Sequence, residues 1–129
     1  MAVYIKEYHR GNTTIYTYID HCIKDYQHGS PTLYKIDGSR VLDYNHGGQV
    51  LLQIDGKYIK DYQHAGRIIY TIDGNYIKDY QNAGKTLYTV DGNFVKDYQH
   101  AGQYMYTIDG TSELSSIYLV AVMFALKLL

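Results

Sequence analysis

Apolar and polar positions recur along this chain with a period of 18 residues. Arg67-Ile68-Ile69-Tyr70-Thr71-Ile72 is a run rich in β-branched and aromatic residues, and Asn75-Tyr76-Ile77-Lys78-Asp79-Tyr80 is a second. Asp73-Gly74 lies between them. Asp-Gly between two such runs predicts a hairpin closed by a type I′ turn, which needs positive φ at both central residues. Gln81-Asn82-Ala83-Gly84 then links to the next hairpin, with Gly84 available for a left-handed position. A loop at Asp73-Gly74 pairs Ile72 with Asn75, Thr71 with Tyr76, Tyr70 with Ile77, Ile69 with Lys78 and Ile68 with Asp79, and paired residues share a face. One face carries Tyr70, Ile72 and Ile77 with Asp79 at its edge. The other carries Arg67, Ile69, Thr71, Tyr76, Lys78 and Tyr80. Lys recurs on that second face at positions 6, 24, 60, 78 and 96, so the first face is expected to point inward, although Ile69 and Tyr80 leave the second partly apolar.

The same unit is written six times. Asp-Gly stands at 37, 55, 73, 91 and 109. A tyrosine column, Tyr8, Tyr26, Tyr44, Tyr62, Tyr80 and Tyr98, is preceded throughout by an acid: Glu7, Asp25, Asp43, Asp61, Asp79 and Asp97. A β-branched column holds Ile5, Ile23, Val41, Ile59, Ile77 and Val95, and an aliphatic one holds Ile15, Leu33, Leu51, Ile69, Leu87 and Met105. The units run without a gap over 3–110, and the first two units and the stretch near Gln53 diverge most. Two short strands per unit give about twelve strands in an antiparallel meander. The single Pro fits, since Pro removes a ladder donor.

After Gly110 the pattern changes. Thr111-Ser112-Glu113-Leu114-Ser115-Ser116 reads as a helix start, with Thr or Ser as the cap and Glu113 in the first turn. Ile117 to Leu126 is an unbroken apolar run, and Lys127-Leu128-Leu129 follow. A helix over 112–129 is apolar on every side, so it must be enclosed or lie in a membrane. A span needs about 20 apolar residues, which this run lacks. Enclosure has a geometric solution. Twelve strands tilted by about 40° close into a barrel about 24 Å across, whose inward side chains leave a bore of about 12 Å, the diameter of a helix. The expected fold is therefore mainly β: a twelve-stranded antiparallel up-and-down barrel of six 18-residue hairpin repeats, with one C-terminal hydrophobic helix in its interior. It forms a single domain over 1–129.

A barrel of this design resembles the tubby-like and LURP-one-related barrels. The units of the form Ile77-x-Asp79-x4-Gly84-x2-Leu87-Tyr88-x-Val90 are similar to strands of the latter. The resemblance is one of architecture, and this chain is shorter and far more repetitive. It implies lipid binding or a membrane-associated role, but the basic head-group site of the tubby proteins has no counterpart in this sequence. Eighteen is also three hexapeptides, one coil of a left-handed β-helix. That solenoid would stack the acidic column into a ladder of like charges about 4.8 Å apart. A β-prism, or an open sheet with the helix on one face, remains an alternative.

Composition narrows the function classes. Lys+Arg total 12 and Asp+Glu 13, a net charge of −1, which argues against a nucleic-acid binder or an electrostatic membrane binder. Cys22 is the single cysteine, so no intrachain disulfide forms, and it reads as a packing residue. Met1 to Tyr8 lacks the build of a secretory signal, which favours the cytoplasm. His28, His46, His64 and His100 recur one per unit and are expected about 10 Å apart, too far to share a metal ion. His9 and His21 lie outside that column. Each acid before a Tyr is expected to cap the following loop or to accept from a Tyr hydroxyl. Repetition argues against catalysis, because a reaction site breaks symmetry. No phosphate loop, nucleophile elbow, HExxH or CxxC occurs. No cofactor is implied.

There are 17 Tyr against 2 Phe and 0 Trp. Most of the tyrosines build strands. The outer column remains as the candidate surface-binding set, represented by Tyr26, Tyr62, Tyr80 and Tyr98. The expectation is a non-enzymatic structural or interaction module with a protein or small-ligand partner. The alternative is a small-ligand, carbohydrate or cell-wall binding module. Hairpin repeats with aromatics resemble choline-binding cell-wall modules, yet those rely on Trp-rich boxes. Lipid binding in the tubby-like manner is a third reading.

Overall fold

The computed structural model describes residues 2–110 and 114–129. Twelve strands follow one another: β1 Val3–Glu7, β2 Thr13–Ile19, β3 Cys22–Asp25, β4 Thr32–Asp37, β5 Arg40–Asp43, β6 Gln49–Asp55, β7 Tyr58–Asp61, β8 Arg67–Asp73, β9 Tyr76–Asp79, β10 Lys85–Asp91, β11 Phe94–Asp97 and β12 Gln103–Asp109. Each pairs antiparallel with its sequence neighbours, and β1 pairs with β12, so the sheet is a closed up-and-down barrel without edges. One helix, α1 Ser116–Ala125, follows.

The ring closes as the repeat predicts. Tyr4 faces Asp109, Ile5 faces Ile108 and Lys6 faces Thr107, in the same register as Tyr76 with Asp73, Ile77 with Ile72 and Lys78 with Thr71 inside a hairpin. The chain is thus cut where a hairpin turn would be. Ion pairs repeat the pattern: Lys60–Asp55 at 2.8 Å, Lys78–Asp73 at 2.9 Å and Lys96–Asp91 at 2.9 Å join the strands of one hairpin, and Lys6–Asp109 joins the two ends of the chain. Gly110 sits at that cut with φ of +84°, and a Cβ on it would strike the Ala2 carbonyl oxygen.

The hairpin loop lies one residue later than expected. Asp73 pairs with Tyr76 and Tyr70 with Asp79, so the loop is Gly74-Asn75, and positive φ falls on Gly74 alone. That is the type II′ pattern rather than type I′. It places the positive φ on the residue that lacks a Cβ, and it frees Asp73 to close the ladder and reach Lys78. Only the first unit uses two positive φ values, at Asp20 and His21 between Ile19 and Cys22. The shift changes each partner by two residues, so the assignment of faces survives. Ile77 is fully buried and Tyr70 nearly so, while Tyr76 is exposed.

The aliphatic column is where the simple face pattern fails. Ile59 faces Tyr70 and Lys60 faces Ile68, so Ile69 is skipped and forms a β-bulge. Ile15, Leu33, Leu51, Leu87 and Met105 are skipped in the same way. A bulge sets two residues against one and bends the strand. Ile15 is buried, and Leu51, Ile69 and Leu87 pack against the core rather than joining the wet face. Four members of the column that looked outward therefore line the barrel at the end opposite the hairpin turns.

Side chains inside the barrel form belts. Ile5, Ile23, Val41, Ile59, Ile77 and Val95 make the waist, each at most 1% exposed. Ile72 lies beside Ile77 and Ile77 beside Tyr88. A path across the strands thus lags the repeat by two residues per hairpin, about 12 round the ring, which corresponds to a tilt of about 37° and a backbone cylinder about 21 Å across. Helix α1 fills it. Leu119 to Met123 are at most 2% exposed. Tyr34 of β4 and Tyr106 of β12 donate hydrogen bonds to the carbonyls of Ala125 and Leu128, and Tyr70 of β8 packs edge-on against Phe124. Those three strands are a third of the ring apart, which sets the helix on the barrel axis.

The helix is shorter than expected, ten residues or about 15 Å. Its N-cap is Ser115, with no side-chain capping bond. The expected start at Thr111 to Glu113 lies outside the described residues. At the other end Lys127 adopts φ of +61°, with Lys127 N–H bonded to the Phe124 carbonyl at 3.0 Å and Leu128 N–H to the Met123 carbonyl at 2.9 Å. This is a Schellman cap, and it ends the helix at Ala125, one residue before the apolar run ends.

Short loops join the hairpins, most through a 3₁₀ turn such as Tyr62–His64. Each ends on two consecutive left-handed residues. Gly11, Gly29 and Gly47 take the first position in three units, and Ala65, Ala83 and Ala101 take it in the others, each at φ of +60°. An alanine there carries a Cβ penalty that glycine avoids, offset in part by the entropy of the unfolded glycine chain. Ala101→Gly is expected to stabilise the protein by about 0.5–1 kcal/mol. Urea denaturation checks it, and an unchanged or lower midpoint would contradict the strain. Val122→Asp places an unpaired charge on the barrel axis and should cost more than about 4 kcal/mol. A wild-type melting curve for that variant would put α1 outside the bore.

Candidate functional site

The mouth of the barrel away from the hairpin turns is built from two columns of the repeat. The first is the acidic column. Asp25, Asp43, Asp61 and Asp97 have side chains only 18–24% exposed, and Asp25, Asp43 and Asp97 lie beside the inner tyrosines to which they are paired. Each anchors the loop that follows. The Asp61 carbonyl accepts from Gly66 N–H at 3.0 Å, and Asp25, Asp43, Asp79 and Asp97 do the same for their own loops. Each carboxylate also takes a donor three residues on. His28, His46, His64 and His100 bind through Nδ1 at 2.7–2.8 Å. Asn82 bonds Asp79 through its side-chain amide, and Arg10 bonds Glu7 at 3.1 Å. All six units thus hold an acid–donor pair, and the acids cap their loops rather than accept from Tyr hydroxyls. A neutral imidazole donating Nδ1–H keeps Nε2 free as an acceptor.

The second column is the inner tyrosines, Tyr16, Tyr34, Tyr70, Tyr88 and Tyr106, which fill the space between wall and helix end. Two satisfy carbonyls that the cap of α1 leaves over, those of Ala125 and Leu128. Burial raises the phenol pKa of all five, that of Tyr70 to about 12. Neighbouring charges add to this: Asp25 for Tyr16, Asp43 for Tyr34, Tyr88 and Asp79 for Tyr70, Asp97 for Tyr88 and Glu7 for Tyr106.

The sixth member of this ring is not a tyrosine. Leu52 of β6 occupies the position, paired with Asp61. A cleft of about 480 Å³ opens beside it, larger than the cleft of about 330 Å³ at the opposite mouth. Leu51, Leu52 and Phe124 form its apolar side. Two acid–imidazole pairs, Asp43–His46 and Asp61–His64, edge it together with Tyr34 and Lys127. Missing one phenol ring, the wall leaves more room here than in the cleft of about 260 Å³ that Glu7, Asp97 and Tyr106 line on the same rim. The break is present in the sequence as a leucine in a tyrosine column, but it acquires meaning only once that column is known to face a helix.

The outer tyrosines lie elsewhere. Tyr26, Tyr62, Tyr80 and Tyr98 are 46–53% exposed and are spread one per unit round the wall. Tyr80 packs edge-on against Tyr58, Tyr98 against Tyr76, and Arg40 lies over Tyr62. Tyr8 meets Phe94 across the ring closure in the same relation. None of these four residues lines the cleft beside Leu52. Among the described residues no group of three or more His, Cys, Asp or Glu side chains is placed to hold a metal ion. No described helix is long and apolar enough to cross a membrane. No family model, curated protein or solved structure matches the chain.

The raised phenol pKa values have a consequence for alkaline stability. A group that binds its proton more tightly when folded contributes stability that is fully present below its unfolded pKa, here about 10, and that is lost as pH rises through the folded value, about 12 for Tyr70. Ultraviolet titration at the tyrosinate band should show the five inner phenols ionising after the exposed ones and together with loss of the fold. Ionisation of all tyrosines in one step near their ordinary pKa, with the barrel intact, would contradict the burial of this ring.

Proposed function

We propose that the chain is a non-enzymatic binding module that takes a small ligand in the cleft beside Leu52. The observation that carries the reading is the coincidence of the one break in the inner tyrosine ring with a cleft of about 480 Å³, a size common for small-molecule sites. A wall that is closed, antiparallel and filled by a helix is rigid, so such a cleft is preformed and binding spends little on ordering it. The lining supports binding over reaction. It contains no Ser, Thr or Cys nucleophile, and its two Asp–His pairs recur as loop anchors at Asp25–His28 and Asp97–His100.

The second reading, a protein partner on the outer wall, is favoured by the half-exposed Tyr26, Tyr62, Tyr80 and Tyr98. Edge contacts hold several of these rings in place, which lowers the cost of using them in an interface. Their even spread gives them no common groove, and this places the cleft first.

A fragment screen by 1H–15N NMR on the full chain tests the reading. Fragments of any charge should move resonances of Leu51, Leu52, Phe124 and Ala125, and Leu52→Tyr, which restores the residue of the other five units, should fold and abolish those shifts. Perturbations confined to the outer tyrosines would favour a surface site instead. The absence of any cleft binder would end the small-ligand proposal.

A further inference from the structure

We infer that the ligand class of this cleft is an organic ammonium ion with an apolar body. The inference rests on the small-ligand reading above and adds the sign of charge and the polarity of the two ends of the ligand. Three features of the mouth point the same way.

The first is its field. The acidic column sets a ring of six carboxylates round this mouth, one per hairpin. Helix α1 ends here, and its C-terminal carbonyls add partial negative charge. Arg10 is engaged with Glu7, which leaves Lys127 as the ammonium that lines the cleft. One cation against the Asp43 and Asp61 carboxylates leaves a net negative site.

The second feature is the supply of acceptors. His46 and His64 spend Nδ1 on Asp43 and Asp61 at 2.7–2.8 Å, and an unprotonated ring bonded in that way presents its Nε2 lone pair elsewhere. Each bonded carboxylate has a further oxygen. The cleft is therefore richer in acceptors than in donors, which suits an N⁺–H group and disfavours a carboxylate or phosphate. The third feature is the apolar side. Leu51, Leu52 and Phe124 have no use for a small hydrated ion but take up an alkyl or aryl body, and the Phe124 and Tyr34 rings can face a cation.

Three probes of nearly equal shape separate charge from fit: 2-phenylethylammonium, 2-phenylethanol and phenylacetate, titrated into the full chain at about pH 8, above the ordinary imidazole range. The ammonium should bind at least about tenfold tighter than the alcohol, with shifts centred on Leu51, Leu52 and Phe124. Lys127→Gln should raise ammonium affinity about threefold, since it removes the competing cation. Asp43→Asn with Asp61→Asn should erase the preference over the alcohol, whereas Asp97→Asn, on another part of the ring, should change it less than about twofold. Should the paired variant not fold, the direction of the Lys127→Gln effect decides alone.

Equal or tighter binding of the alcohol or of phenylacetate in the cleft overturns the ammonium assignment and leaves the small-ligand reading standing. The absence of cleft shifts with all three probes, on a folded protein, overturns the assignment; failure of the wider fragment screen as well overturns both.

Discussion

A twelve-stranded barrel and an apolar helix each have an unsatisfied surface, and in this protein each is the solution for the other. A cylinder about 21 Å across is too wide for inward side chains alone to fill. A helix that is apolar all round finds no solvent-facing side. Seating Leu119 to Met123 on the axis removes both problems together. The waist belt from Ile5 to Val95 is β-branched throughout, and each of its residues is at most 1% exposed. Folding of the wall and docking of the helix are therefore one event energetically, since neither buries its apolar surface without the other.

The wall has six near-identical hairpins, but the helix inside has no sixfold symmetry. That mismatch means equivalent positions on the wall cannot make equivalent contacts with the helix. Tyr34 and Tyr106 find carbonyls, Tyr70 finds the Phe124 ring, and Leu52 lies where α1 comes nearest to the wall, against β6. The leucine accommodates the approach and leaves the cleft below it. Asymmetry thus enters a repetitive wall through the contents of its bore, and the cleft beside Leu52 arises without any unit losing its hairpin or its acid–donor pair.

Much of this was legible in the residues. The 18-residue period, the two faces of each hairpin and the need of the C-terminal run for enclosure led to a closed barrel with an axial helix. Two details were not. The turn moved from Asp73-Gly74 to Gly74-Asn75 because an Asp at the ladder's end gains an ion pair with Lys78, whereas in the loop it would carry the strain of positive φ. The aliphatic column seemed to face water because strict alternation was assumed, and a bulge at each of those six residues broke it. Neither the bulge nor the cleft leaves a local signature. Ile69 and Leu52 are ordinary strand residues, and their roles depend on what lies across the ladder and across the bore.

The chemistry of the mouth follows from the same logic of copied parts. A carboxylate at the end of a strand is needed six times to hold six loops, whatever the protein does. Its donor varies among His, Asn and Arg because any of them satisfies the loop. The consequence is a ring of negative charge that no single unit requires but that the closed ring creates, at the end where α1 also presents its carbonyls. Structural necessity sets the sign of the field, and one missing phenol sets where the cleft opens beside it. A change at Leu52 alone would then alter the cleft while the field that the fold supplies stayed as it is.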